Sequence, residues 1–490
     1  MLNNEVKKDL ENDGVNVRKN DDKSKEVNEN KMGVMPINKL LVSMSLPMIF
    51  SMLVQALYNV VDSIFVARIK DVSDVGSAMS QGTDALAAVG MAFPFQTLLI
   101  AFGTGTCVGV NACLSKALGE KKYDRVQKVA HNGVFLCFVN YAIFIIIGVF
   151  FAPLLIKMQG ASGVTLQYGT QYLRTICLGS IFVYTQLMFE RLLQSTGRTI
   201  YTMFTQMLGA IINIILDPIL IFGLFGMPEL KVEGAAIATI TGQLFAAILA
   251  IILNSKFNKD VHIKFNEIKP DLHIIKKIYI VGFPSIAMQA IGSIMTFTMN
   301  KLLSGLNEAS VAVFTVYFKL QSLFFMPIFG LNNGMVPILS FNYGAQKRKR
   351  MIQVIKWTML YAFLFLFVGF LLFELIPDKL LLIFDTGDPS LITLGVPALR
   401  IIAFHYLLAW FCIIGGTVFQ ALGKGMYSLA VSVARQLVVL IPVAYILSKI
   451  GGLKLIWWSF PIAELMSLLM TSIFMVLTYK NVIKKVPNKE

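Results

Sequence analysis

Three observations predict an all-α polytopic membrane protein whose twelve transmembrane helices form two pseudo-symmetric six-helix lobes. The chain is 56% hydrophobic and only 14% charged, with a mean hydropathy of +0.69, whereas soluble domains carry roughly 25% charged residues. Its apolar segments are long enough to cross the hydrocarbon core, which takes about 20 helical residues. Polar and glycine positions of the first half also recur in the second at a near-constant offset.

The spans are predicted at 39–67, 85–114, 130–156, 168–194, 200–224, 235–254, 278–304, 309–341, 354–376, 391–420, 426–448 and 456–479. Residues 1–36 form a polar tail of mixed charge, too hydrophilic to insert and expected to be disordered. The first lobe is expected over 37–256, a cytoplasmic linker over 257–277, the second lobe over 278–480 and a short tail over 481–490. Basic residues cluster after even-numbered spans: Lys116, Lys121, Lys122, Arg125 and Lys128 after the second, six lysines after the sixth, and Lys347–Arg350 after the eighth. The loops after odd spans are poor in base, apart from Lys449 and Lys454. The positive-inside rule therefore places both termini in the cytoplasm of a plasma-membrane protein. The net charge of +15 is thus a topology signal, and nucleic acid is not an expected partner. The five cysteines lie in or beside apolar spans without CxxC spacing, so they are read as packing residues.

The repeat aligns Gln96 with Gln321, Gly105 and Gly109 with Gly330 and Gly334, Leu114-Ser115 with Leu339-Ser340, and Gly119 with Gly344, all at an offset of 225 (321 − 96). Arg174, Gln194 and Gly197 align with Arg400, Gln420 and Gly423 at 226 (400 − 174). Repeats of the same orientation are a transporter signature, with the substrate path between the halves.

Span one carries Gln55, Asn59 and Asp62 at i, i+4 and i+7, one face of a helix. Span five carries Gln206, Asn213 and Asp217 on one face in the same way. Both spans rise from the cytoplasm, so both acids fall roughly 8–12 Å outside the midplane at 1.5 Å per residue. An ionisable group at such depth faces a cavity or a partner. Asp62 and Asp217 can share a proton, or hold a cation with Asn213, since carboxylate and carboxamide oxygens suit a hard ion such as Na⁺. Asn59 and Gln55 extend the polar stripe, and Pro47 lets its helix bend. Asp62 maps onto Met299 and Asp217 onto Val443, so ion chemistry is expected in the first half alone.

Glu190, near the inner end of span four, is a candidate for attracting cationic substrate, although Arg191 and Arg198 are close enough in sequence to pair with it. Lys319 and Gln321 in span eight, Gln206 in span five and Met188 among the many methionines are further cavity candidates, because Met and aromatic faces adapt to varied flat cations. Arg174 and Arg400 are read as structural, and Arg435 is expected to pair with Glu464 across spans eleven and twelve. His131, His262, His273 and His405 have no paired metal spacing, and neither HExxH nor a P-loop is present, so neither an enzyme nor direct ATP drive is indicated.

The stretch Leu46-Pro47 to Val61-Asp62-Ser63, the Asn213-to-Asp217-Pro218 element, Gly234-Ala235-Ala236-Ile237-Ala238-Thr239 and Asn342-Tyr343-Gly344-Ala345 together resemble the multidrug and toxic compound extrusion (MATE) family, over about residues 37–480. Phe189-Glu190-Arg191 resembles its MepA/DinF-like branch. The resemblance implies a V-shaped twelve-helix exporter driven by H⁺ or Na⁺ without a cofactor. It implies a cation site at Asp62, Asp217, Asn213 and Thr239, a bend at Pro47 and a role for Glu190 in drug export. The long loop at 71–83 and the polar tail depart from the family pattern. The reading is an antiporter, expected as a monomer in the bilayer, that exports organic cations. A flippase for lipid-linked sugars and an intramembrane transferase are the alternatives.

Overall fold

The computed structural model describes residues 30–67, 81–383 and 389–488. A short helix, α1 (Lys31–Val34), precedes the first span, α2 (Ile37–Ala67), and α3 (Gln81–Gly119) is the second. The third is α4 (Tyr123–Ile146), continued by a π-helical turn (Ile147–Phe151) into α5 (Ala152–Met158). The fourth is a bent pair, α6 (Gly163–Leu178) and α7 (Ser180–Ser195), and α8 (Thr199–Phe222) and α9 (Lys231–Phe257) complete the first six.

The second six run through α10 (Leu272–Ser304), α11 (Glu308–Gly344) and α12 (Arg348–Leu375), followed by the short α13 (Pro377–Leu382). Next come a second bent pair, α14 (Pro389–Ala403) and α15 (Tyr406–Ala421), then α16 (Gly425–Val433), a π turn (Ala434–Leu440) and α17 (Ile441–Ile456), and last α18 (Ser459–Asn481). Ten helices or helix runs are long and apolar enough to cross a membrane, and the bent pairs, at 45° and 53°, raise the count to twelve. Among the described residues there is no β-strand, only an isolated bridge between Lys347 and Asn488.

The irregularities have local causes. Each π turn ends just before a proline, Pro153 and Pro442. Proline lacks an N–H and crowds the carbonyl four residues back. Those carbonyls, of Val149 and Val438, lie inside the π turns, where the widened helix makes room. Pro47 sits inside α2 without interrupting it. The tail ends sooner than the sequence suggests: α1 is a helix, with the Asn30 side chain accepting from the Met32 N–H. Residues 1–29, and 71–80 of the long loop, lie outside the described residues, while 81–83 begin α3.

The lobes meet through α2 against α11 and α3 against α10, the two contacts that the repeat exchanges. The repeated glycines explain how closely. A Cβ at Gly119 would overlap the Phe341 carbonyl, and one at its repeat partner Gly344 would overlap the Lys116 carbonyl. Gly330 and Gly334 likewise admit the α2 backbone at Ile49 and Ser45. These approaches, with Ser45 Oγ donating to the Leu331 carbonyl at 3.3 Å, lie toward the end of the molecule that carries the basic loops.

At that end the basic residues have structural work that a charge count does not reveal. Arg350 donates to the Met35 carbonyl at 2.7 Å, Lys347 to Gly33 at 3.0 Å and Arg348 to Lys484 at 3.0 Å. Asn30 donates to the Thr196 carbonyl at 3.3 Å, so α1 touches both lobes. The linker is strapped to the first lobe: Arg198 pairs with Asp260 at 2.7 Å, and Gln127 bonds the backbone of Asp260 and His262.

Candidate ion and substrate site

Helix α2 packs against α8, which brings together the two acids that lie 155 positions apart in sequence (217 − 62). The carboxyl groups of Asp62 and Asp217 stand side by side at this contact. Two carboxyl groups placed so can share a proton. Asn213 Nδ2 donates to Asp217 Oδ1 at 3.1 Å and lies 3.4 Å from Thr239 Oγ1 on α9. Asp217 and Asn213 are buried at 0% and 3% exposure.

Three oxygens of this cluster, Asp62 Oδ1, Asp217 Oδ2 and Asn213 Oδ1, are buried with no hydrogen-bond partner. Buried polar atoms are nearly always paired, so this cluster is a candidate place for a proton or a cation. An all-oxygen set of two carboxylates, a carboxamide and a hydroxyl fits a hard, singly charged ion.

Three more residues border the acids, and the sequence did not single out their roles. Tyr172 on α6 donates to Gln96 Oε1 on α3 at 3.3 Å, and Tyr58 bonds Gln55. Gln55 thus reaches the cluster through Tyr58. The Asn59 side chain lies outside the described residues. The only signal for Tyr58 was its place one turn before Asp62.

Glu190 is 1% exposed on α7. It accepts from Gln186 at 3.0 Å, Thr205 at 2.8 Å and Gln206 at 2.8 Å. The expected arginine partners are engaged elsewhere. Arg191 donates to Gln194 and Asn333, both at 2.8 Å, and Arg198 holds Asp260. Neutral donors therefore hold this carboxylate, and its charge is not cancelled by a hydrogen-bonded base. Gln206 joins Glu190, whereas Met188 is 1% exposed and packs at Gly133 in the lobe interior. Lys319 and Gln321 stand on α11 in the other lobe, and Gln321 is 3.5 Å from His405 Nε2.

Pro47 lies two residues before Ile49, where Gly330 of α11 crosses α2. Met299, in the place of Asp62, is fully buried. The expected Arg435–Glu464 pair forms at 3.1 Å. Arg174 and Arg400 are both exposed.

The family model MatE matches residues 47–219 and again 284–446, more than half of the chain and once per lobe. The chain belongs to the MatE family. It is therefore a multi-pass membrane transporter and not an enzyme, with the two-lobed V-shaped fold of that family. Among curated MatE proteins it is similar to the multidrug export protein MepA of Staphylococcus haemolyticus (strain JCSC1435), 27% identical over 87% of this chain and 91% of that one. It is 26% identical to MepA of Staphylococcus aureus (strain bovine RF122 / ET3-1), over 88% of this chain and 91% of the other. Among solved structures it superposes on an outward-facing multidrug resistance MATE family transporter of the MOP superfamily with a TM-score of 0.85 at 25% identity, covering 93% of this chain and 99% of that one. A crystal structure of MATE in the straight conformation gives 0.83 at 24% identity, over 93% of this chain and 98% of that one.

Proposed function

We propose that this transporter is a plasma-membrane antiporter that exports cationic lipophilic compounds in exchange for H⁺ or Na⁺, with both termini in the cytoplasm. The observation that carries the reading is the set of unpartnered oxygens on Asp62, Asp217 and Asn213. Lobes closed at the basic-loop end correspond, in this orientation, to an outward-open state. Ion binding at the acid pair from outside and release inside would drive the alternation of lobes. Coupling requires that ion and compound each bind the two states unequally.

Glu190 gives the substrate a negative charge held only by neutral donors, in the inner part of the first lobe, and Gln206 orients it. The name of the MepA relatives supports multidrug cargo. Oxygens of Asp62, Asp217, Asn213 and Thr239 would hold Na⁺ if that is the coupling ion, and the acid pair alone would hold H⁺. The test is ethidium efflux from proteoliposomes with ΔpH and ΔNa⁺ imposed separately. Efflux under one gradient supports antiport, and efflux under neither removes it.

A further inference from the structure

The second lobe contains a cavity of its own, of about 280 Å³, among α10, α11, the N-terminus of α15, the π turn before α17, and α18. Its lining includes Gln321, Phe325, His405, Arg435, Phe460 and Glu464. The volume is at the small end for a small-molecule pocket, and the mix of aromatic walls with a few convergent polar groups is typical of one.

Pseudo-symmetry relates this cavity to the first lobe's acid cluster. Gln321 stands where Gln96 does, at the offset of 225. The second lobe has Met299 and Val443 where the first has its two acids, yet it keeps a buried acid of its own, Glu464. The π turn Ala434–Leu440 places Arg435 beside that acid, and such turns concentrate at functional sites.

The two charges leave polarity unused. Arg435 Nη1 meets Glu464 Oε2 at 3.1 Å, and 32% of the Arg435 side chain is exposed. Glu464 is 2% exposed, and its Oε1 is buried with no hydrogen-bond partner. The edge therefore sets a carboxylate with unused acceptor capacity beside guanidinium donors, with no net charge. A ligand of strong net charge would find no uncompensated counter-charge here. A ligand with a donor next to an acceptor would satisfy both groups. Phe325 stacks on His405 with centroids 6.0 Å apart and planes at 27°, and Phe460 stands 6.4 Å from the same ring. Those faces suit a flat ring system.

We propose that this cavity is a second compound-binding site, selective for uncharged or zwitterionic flat heteroaromatics that carry a hydrogen-bond donor beside an acceptor. The two lobes then divide the substrate range, with cations at Glu190 and net-neutral rings at Arg435–Glu464. The export reading bears only on whether the bound compound is transported. Binding tests the site by itself.

The experiment titrates purified, nanodisc-embedded full chain with lumichrome, a neutral flat heteroaromatic with adjacent N–H and carbonyl groups, by its fluorescence. Ethidium is titrated in parallel. Glu464→Gln removes the carboxylate and leaves the Arg435 guanidinium in place. Ser322→Trp fills the same cavity from a half-buried position whose hydroxyl bonds only its own helix, leaving the ion pair intact. Saturable binding to the unaltered protein, weakened at least about tenfold by each variant while ethidium binding is unchanged, is expected from the loss of a bond to a charged group. Absence of saturable lumichrome binding, or wild-type binding by both variants, overturns the proposal. Weakening by Glu464→Gln alone overturns it too, because the ligand would then sit elsewhere. Failure of ethidium efflux would sink the export reading and leave the lumichrome result standing.

Discussion

Arg191 Nη1 reaches Asn333 Oδ1 at 2.8 Å, from the last turns of α7 in one lobe to α11 in the other. The bond joins the lobes near the end where they close, and it occupies the arginine that follows Glu190.

Breaking that bond should favour opening at this end. A hydrogen bond to a charged group contributes about 1.5–3 kcal/mol, so Asn333→Ala should shift the closed-to-open ratio about tenfold or more. Labelling of cysteines placed along the closed face of α2, in an Asn333→Ala background, reads the shift. Unchanged labelling rates would mean that the bond carries no preference for this state.

The acid cluster should be indispensable for coupling and dispensable for folding. Asp62→Asn and Asp217→Asn are expected to reduce gradient-driven ethidium efflux to the level of empty vesicles while the protein inserts in normal amounts. Asn213→Ala removes one donor and one ligand oxygen, worth about 1 kcal/mol, so it should raise the half-saturating ion concentration about fivefold. Full efflux by Asp217→Asn would disprove the assignment.

Glu190→Gln should separate charge from hydrogen bonding. The KM for ethidium should rise about tenfold, with the ion dependence of efflux unchanged. Glu190→Ala strands the Gln186 and Gln206 donors, while Thr205 keeps the Thr202 carbonyl as acceptor. Unsatisfied buried donors cost about 1–3 kcal/mol each, so this variant should also melt at a lower temperature. A thermal-shift assay on both variants tests the contrast.

The glycine pair at the junction gives a steric prediction. A methyl at Gly344 meets the Lys116 carbonyl, which is backbone and cannot swing away. Overpacking of this kind costs about 1–3 kcal/mol. Gly344→Ala should therefore loosen lobe closure and slow transport several-fold, and Gly119→Ala should do the same. Cross-linking between cysteines at positions 45 and 331 in each variant measures the loosening.

Much of the architecture was legible because it depends on local chemistry. Hydropathy marks spans wherever a chain must cross lipid, and the glycines at an offset of 225 announced the repeat, although their place at the lobe contact emerged only in the fold. The stripe of Asn213 and Asp217 was readable because helical periodicity is written in spacing. Other readings failed for a shared reason. Adjacency in sequence suggested that Arg191 pairs with Glu190, yet neighbours on a helix point about 100° apart, and each side chain found partners a turn away on its own helix and on another helix. Tyr58 and Tyr172 were apolar-span residues like many others, and Gln96 only a marker of the repeat, until α2, α3 and α6 converged.

The helical spans, the twofold repeat and the presence of unpaired polarity inside the membrane could all be read from the chain alone, since each follows from the composition of single segments. Which polar atoms meet was settled by the folded arrangement: the free oxygens around Asp62 and Asp217, the neutral donors on Glu190, and the cavity at Arg435 and Glu464. Those outcomes depend on how each helix is rotated about its own axis. That rotation is set by packing between segments distant in the chain.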